Sequence, residues 1–297
     1  MPVHASSTIF IPAPSPHPGE PTVIHGILEQ LEPEKSTQGR KLALVLHGVG
    51  GHKDHLFLKQ LASTLPIDSF RFDFRGYFES PGIWRQNKME EDVLDLRIVI
   101  DYLKANFGYQ IDLVIGHSRG AVLAVRWLCT SEDGKKVSGF VIVSATYRMK
   151  ASIDIYVSQT SEIALKNIAD KGFHLLNRRT FTHAFQEKIY QEDFVDYAAF
   201  DNSFVDYLFP QTTDVLIIHG LKDKGVPVYN AVLYAKALSK RCPGTQSLHF
   251  MEHADHTYTG QHAEVVQTIV DWWDSHLKGR LWTGIWMGPE RNVKGKL

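Results

Sequence analysis

The sequence predicts an α/β fold in which a mostly parallel central sheet carries helices on both faces, and three observations lead to this class. Short apolar runs, typical of strands buried on both faces, occur at residues 42–46, 70–74, 111–115, 140–143 and 215–218. Stretches with apolar residues three to four positions apart, which predict amphipathic helices, occur at residues 89–103, 120–129, 227–239 and 262–276. The two patterns alternate along the chain, as in a doubly wound domain.

The composition is that of an ordinary globular protein. The 297 residues are 43% hydrophobic and 22% charged, with a net charge of -1. No basic cluster is available to neutralise nucleic-acid phosphates, and no apolar run reaches membrane-spanning length. Residues 1–34 contain no Lys or Arg, so we expect no secretory signal there, and Cys129 and Cys242 suggest no disulfide framework. We therefore expect a cytoplasmic protein with no nucleic-acid partner and no membrane span.

Four segments are predicted. Residues 1–21 form a proline-rich N-terminal segment, residues 22–277 form the α/β domain, and residues 278–297 form a C-terminal tail with two tryptophans. Residues 147–212 interrupt the strand and helix alternation over a length that is too great for an ordinary loop. We interpret this aromatic-rich stretch as a mostly helical lid inserted over the carboxyl edge of the sheet.

The pentapeptide Gly116-His117-Ser118-Arg119-Gly120 is the most informative motif. It directly follows the apolar run 111–115 and opens a helical pattern, as a Gly-x-Ser-x-Gly nucleophile elbow does. A sharp turn of this kind crowds the neighbours of the serine, so glycine is required on both sides. Ser118 is therefore the candidate nucleophile. The alternative is a glycine-rich turn that closes an ordinary βα unit.

A serine nucleophile needs a histidine base and an acid that orients the histidine. Asp223 follows the apolar run 215–218 and is the candidate acid, whereas Asp214 precedes that run, at the wrong end. His256, in a late loop before the last helix, is the candidate base, and His253 is its rival. Asp255 fits a turn or a helix cap better than the acid of a triad.

The developing oxyanion needs two backbone donors. The N–H of Arg119 follows the nucleophile, and the loop His47-Gly48-Val49-Gly50-Gly51-His52 follows the strand at 42–46. Its glycines allow the backbone to approach a substrate closely, and the N–H of Val49 is the predicted second donor. Such a loop could also bind phosphate, but no Walker lysine or dinucleotide fingerprint follows it.

Taken together, these segments resemble the α/β-hydrolase superfamily over about residues 22–277. The loop at 47–53 and the segment at 219–227 are similar to those of cinnamoyl/feruloyl-esterase-like and serine-aminopeptidase-like hydrolases. The resemblance implies an acyl-enzyme mechanism carried by Ser118, Asp223 and His256. The segments that carry it are His47-Gly48, Asp73-Phe74-Arg75-Gly76, the pentapeptide at 116–120, His219-Gly220 with Asp223 and Val226-Pro227, and Asp255-His256.

The chain departs from the family pattern at two positions. Phe78 replaces the second glycine of the Asp-x-Arg-Gly-x-Gly loop, so we expect a different loop shape there. Arg119 is a bulky cation after the nucleophile, and we hypothesise that its side chain reaches the pocket mouth and favours an anionic substrate group.

We therefore expect a serine hydrolase for a small or medium carboxylic ester. The same triad would also serve an acyltransferase or an amidase or aminopeptidase, and a non-catalytic ligand-binding homologue is an alternative of another class. No cofactor is expected. The sequence leaves the oligomeric state open.

A metal hydrolase is disfavoured. His52, Asp54 and His55 stand close together in sequence, as do His253, Asp255 and His256. Neither cluster has the helical spacing that is usual for catalytic zinc, which normally takes three protein ligands. We therefore expect no metal ion.

Overall fold

The computed structural model describes residues 5–14, 22–150, 162–179 and 184–289. Its strands are β1 Ala5–Ala13, β2 Thr22–Gln30, β3 Lys41–Leu46, β4 Asp68–Phe72, β5 Gln110–His117, β6 Gly139–Val143, β7 Phe173–Arg179, β8 Ala184–Tyr190, β9 Asp214–Gly220, β10 Gln246–Met251 and β11 Gly284–Ile285. Nine of these strands form one sheet in the order β1-β2-β4-β3-β5-β6-β9-β10-β11. Strand β2 runs antiparallel to β1 and β4, and every other pair of neighbours is parallel.

The helices are α1 Leu58–Thr64, α2 Met89–Phe107, α3 Arg119–Thr130, α4 Glu162–Lys171, α5 Gln191–Ala199, α6 Phe204–Tyr207, α7 Tyr229–Leu238 and α8 His262–Leu277. Side chains of α2, α3 and α7 pack in the core on one face of the sheet, and those of α1 and α8 pack on the other. Strand β3 serves both cores, because Leu42, Leu44 and Leu46 point to the first face and Ala43 and Val45 to the second. The predicted layered α/β class is confirmed.

Both ends of the described chain join this sheet. Strand β1, within the segment expected to precede the domain, pairs with β2 along its whole length, from Ala5 opposite Gln30 to Ala13 opposite Thr22. Residues 15–21 of that segment lie outside the described residues. In the tail, β11 pairs with β10, and Trp286 is buried against the second core. The sheet therefore extends beyond residues 22–277 on both sides.

In the described residues of the insertion at 147–212, helices α4, α5 and α6 are accompanied by two strands that the prediction of a mostly helical lid did not include. Strands β7 and β8 pair with each other as an antiparallel hairpin, with Phe173 opposite Tyr190, between helices α4 and α5. These strands are stabilised mainly by pairing with each other, which the sequence of either strand does not show. Over seven residues, the alternation of apolar and polar side chains is too short to be distinguished from a helical pattern in an aromatic-rich stretch. Residues 151–161 and 180–183 lie outside the described residues.

Within the described ranges, no helix combines the length and the apolar composition that crossing a bilayer requires.

Candidate active site

The predicted elbow is formed by Ser118, which stands between the end of β5 and the start of α3. Its φ of 51° and ψ of -119° are strained for a residue with a side chain. A Cβ on Gly116 would lie 2.4 Å from the backbone of Ala121, and one on Gly120 would lie 2.6 Å from the carbonyl oxygen of His47. Real Cβ atoms do not approach backbone so closely, so both positions require glycine.

A chain of hydrogen bonds connects the serine to a histidine and a carboxylate. The Nε2 atom of His256 lies 3.2 Å from Oγ of Ser118, and its Nδ1 lies 2.8 Å from Oδ2 of Asp223. Asp223 follows β9, and His256 stands in the loop between β10 and α8, so both side chains come from the carboxyl edge of the sheet. The other carboxylate oxygen of Asp223 accepts the backbone N–H groups of Gly225 and Val226, at 2.9 and 2.8 Å.

The surroundings of Asp223 favour its ionised form. Burial acts to raise the pKa of this carboxyl, but hydrogen bonds from His219 and His256 outweigh burial, and the pKa is lowered. His219 is the weaker partner, because its Nε2 lies 3.4 Å from the carboxylate and only 2.8 Å from the carbonyl oxygen of Val226. An ionised Asp223 accepts the Nδ1 proton of His256, so Nε2 presents its lone pair to Ser118.

The rival residues lie elsewhere. The side chain of His253 is exposed, and Asp214 binds His276 at 2.8 Å at the start of β9. Asp255 accepts the backbone N–H groups of Thr257 and Thr259, both at 3.0 Å, as a turn residue does. The structure therefore brings His256 and Asp223 to Ser118, and it leaves the alternatives apart.

Val49 lines the same cavity as Ser118, and its loop passes close to the serine. A Cβ on Gly48 would lie 3.0 Å from Cβ of Ser118. The loop is anchored by Lys53, whose backbone N–H and buried ammonium donate to the carboxylate of Asp73 at 2.6 and 2.7 Å. Arg119 opens helix α3, so its N–H belongs to the unbonded first turn. The role of these two amides as oxyanion donors stays a prediction.

The side chain of Arg119 does not reach the pocket mouth, which corrects the hypothesis of an anion-binding cation there. It is buried, its Nε lies 2.7 Å from Oδ2 of Asp92 on α2, and its Nη1 donates to the carbonyl oxygen of Gln86 at 2.7 Å. A guanidinium buried against a carboxylate has no free charge for a substrate. Instead, the ion pair between Arg119 and Asp92 links α3 to α2.

The substituted position in the loop at 73–80 keeps a glycine-like backbone. Phe78 has a φ of 43°, in the left-handed region, and its ring stacks on His52 with centroids 4.5 Å apart. The ring also lies 5.0 Å from the ammonium of Lys53. The aromatic contacts hold Phe78 in the conformation that a glycine would adopt freely.

The part played by His117 was not predicted from the sequence. Its Nε2 lies 2.9 Å from the carbonyl oxygen of His256, and burial lowers the pKa of His117 to about 3. The ring is therefore neutral at pH 7, and it donates its proton to that carbonyl. His117 thus fixes the loop that presents the imidazole of His256. Its place inside the pentapeptide was visible in the sequence, but its partner 139 positions away was not.

A cavity of about 330 Å³ lies over Ser118 and His256. The insertion contributes Ile189, Phe194 and Tyr197 to its wall, so residues 147–212 help to shape the space beside the serine. Polar residues in the wall that were not predicted to line a pocket include His55, Gln86, Thr146 and Thr257. No motif marks them, because the fold alone brings them together.

In the part of the chain that the structure describes, no group of three or more His, Cys, Asp or Glu side chains is arranged to hold a metal ion.

Comparison with known proteins identifies the family. The model of the alpha/beta hydrolase family matches residues 43–268. The Saccharomyces cerevisiae protein YDL057W is 26% identical over 239 residues, which make up 74% of this chain and 69% of that protein. Est1E from Butyrivibrio proteoclasticus, in a structure with bound ferulic acid, has a TM-score of 0.65 at 18% identity, with 86% of this chain and 96% of that chain covered. The Pyrococcus furiosus esterase Pf2001 has a TM-score of 0.59 at 18% identity, with 94% and 91% covered. The chain belongs to the alpha/beta hydrolase family.

Proposed function

We propose that the protein is a serine hydrolase that cleaves a carboxylic ester of small or medium size. The observation that carries the proposal is the hydrogen-bonded series from Ser118 through His256 to Asp223, which opens onto a cavity. Each member has the neighbours that its role requires: a strained turn exposes the hydroxyl, and an ionised carboxylate fixes the imidazole.

The reaction has two stages. In the first stage, Nε2 of His256 takes the proton of Ser118 as Oγ attacks the ester carbonyl, and the N–H groups of Val49 and Arg119 stabilise the oxyanion. The tetrahedral adduct collapses, and the histidine passes the proton to the departing alcohol. In the second stage, a water gives a proton to Nε2 and attacks the acyl-serine. The acid then leaves as Oγ recovers its proton.

An ester is favoured over an amide for two reasons. Of two proteins with a similar fold, Pf2001 is called an esterase, and Est1E binds ferulic acid, an organic acid. In the described cavity wall, no Asp, Glu, Lys or Arg side chain offers an anchor for a charged peptide terminus. A neutral ester needs no such anchor.

The test is hydrolysis of p-nitrophenyl acetate, butyrate, octanoate and dodecanoate by the wild type and by Ser118→Ala. We expect turnover that depends on chain length, and a loss on the order of 10⁵-fold in the variant. The control is Ser63→Ala, because Ser63 is an exposed serine on α1 whose hydroxyl donates to the carbonyl oxygen of Gln60 in its own helix. Wild-type turnover that survives in Ser118→Ala would overturn the proposal.

A further inference from the structure

The cavity wall is mainly apolar, with several polar side chains set into it, and no Asp, Glu, Lys or Arg side chain is among its described lining residues. The polar side chains in it belong to His55, Gln86, Thr146, Tyr197 and Thr257, in addition to the reacting groups and His117. A charged substrate would lose its hydration in this space without gaining an opposite charge, and that costs several kcal/mol in general. The cavity therefore suits an uncharged substrate.

His55 presents a neutral imidazole to this space. Burial, together with the nearby His52 and His262, lowers the pKa of His55 to about 4. A neutral ring offers one N–H donor and one lone pair. In the part of the chain that the structure describes, the ring contacts His52 with centroids 5.4 Å apart, but it makes no hydrogen bond.

Gln86 presents a primary amide from another side of the fold. Its backbone oxygen is held by Arg119, at 2.7 Å. Its two neighbours are tied to helix α5 of the insertion, because Arg85 binds Glu192 at 2.5 Å and Asn87 donates to Asp196 at 2.8 Å.

The backbone of Gln86 is thus fixed between the body and the insertion. Its side-chain amide makes no hydrogen bond to any residue that the structure describes, and Gln86 lines the cavity.

We infer that the cavity binds an uncharged ester that carries a hydroxyl group, and that His55 and Gln86 are specificity-determining residues that hydrogen-bond this hydroxyl. This inference rests on the proposed ester hydrolysis at Ser118. Imidazole and amide each both donate and accept, as a hydroxyl does, whereas a ketone or an ether only accepts. An apolar substrate would cover both groups and leave them without partners, which weakens its transition state relative to the hydroxylated ester.

The hydroxyl could belong to the acyl group or to the alcohol, and two pairs of esters distinguish these sources. The acyl pair is p-nitrophenyl butyrate and p-nitrophenyl β-hydroxybutyrate. The alcohol pair is propyl butyrate and glycerol monobutyrate. For each pair, kcat/KM is measured at neutral pH with the wild type, His55→Leu and Gln86→Met. The preference of the wild type for the hydroxylated member of one pair identifies the source.

We expect each variant to reduce that preference about fivefold, the effect of one neutral hydrogen bond, with a smaller change for the ester without the hydroxyl. His55→Gln restores a donor and an acceptor, so it should recover part of the preference that His55→Leu loses. Fluorophosphonate labelling of Ser118 in every variant serves as the control for an intact site. A merely structural role would lower the rates for both members of a pair equally.

The outcomes separate this inference from the proposed function. A wild type that hydrolyses butyrate esters without preferring the hydroxylated member in either pair refutes the inference and leaves ester hydrolysis standing. A wild type that hydrolyses no ester refutes the proposed function itself. If His55→Leu does not fold, the wild-type preference and Gln86→Met decide the question.

Discussion

Replacing Asp223 with asparagine tests the orientation of the proposed base with little change of shape. One carboxylate oxygen accepts the N–H groups of Gly225 and Val226, and the other faces Nδ1 of His256 at 2.8 Å. In Asp223→Asn, the amide oxygen keeps the two backbone donors, so the amide NH₂ must face the imidazole. Two donors cannot share a hydrogen bond, so Nδ1 has to become the acceptor.

The consequence is a histidine whose proton sits on Nε2, where it cannot accept the proton of Ser118. Loss of the charge-assisted hydrogen bond raises the activation free energy by about 3 kcal/mol. The wrong tautomer of His256 brings the total increase to about 5 kcal/mol. We therefore expect kcat/KM for p-nitrophenyl butyrate to fall about 10⁴-fold. Thermal unfolding of the variant should show that the fold is retained.

Asp255→Asn is the matched control. It makes the same chemical change one residue from His256, but the hydrogen bonds of the Asp255 carboxylate to described residues go to Thr257 and Thr259 of its own loop. Its kcat/KM should stay within about threefold of the wild type, since a turn residue acts on stability and not on the imidazole tautomer. The reasoning is refuted if Asp223→Asn loses less than about tenfold, or if Asp255→Asn loses as much.

Three further substitutions test the packing around the site. His117 has a pKa of about 3 in the fold and an ordinary pKa near 6.5 in the unfolded chain. Between these two pH values only the unfolded chain binds the proton, so the fold loses stability as the pH falls. Between about pH 6 and pH 4, the free energy of unfolding should therefore fall less steeply in His117→Gln than in the wild type, by about 1.4 kcal/mol per pH unit. Urea unfolding at several pH values measures this dependence, and the same dependence in both proteins would contradict the prediction. Gly120→Ala places a Cβ 2.6 Å from the carbonyl oxygen of His47, so the free energy of unfolding should fall by about 2 kcal/mol or more. An unchanged urea midpoint would contradict this close approach. Arg119→Gln leaves the buried carboxylate of Asp92 without its cation and should cost about 3 kcal/mol of stability. The preference of this variant between matched neutral and anionic esters should equal that of the wild type. A changed preference would indicate that the side chain of Arg119 lies at the pocket mouth.

The sequence predicted the layered fold and the strand and helix order because each strand of the parallel sheet is buried on both faces. Leu42 to Leu46 and Val215 to Ile218 are apolar without alternation, as strands covered by helices on both sides must be. The elbow was predictable for a similar reason, since the glycines of the pentapeptide are dictated by backbone crowding. Constraints of this kind act on neighbouring residues, so the sequence alone can show them.

Partners that meet only in the fold left no such signature. Arg119 was expected at the pocket mouth, but its partner Asp92 stands 27 positions earlier on another helix. The hairpin of β7 and β8 depends on pairing between strands, not on local propensity. Likewise, nothing in their own segments indicates that His55 and Gln86 line one cavity.

The central claim is that Ser118 forms the acyl-enzyme, and trapping the covalent adduct tests it most directly. The wild type, Ser118→Ala and His256→Ala are treated with a fluorophosphonate, and the intact mass and the labelled peptide are measured. We predict one adduct per wild-type chain, on Ser118, with none in Ser118→Ala and much slower labelling in His256→Ala. A folded wild type that gains no adduct, or an adduct on another residue, would contradict the proposed mechanism.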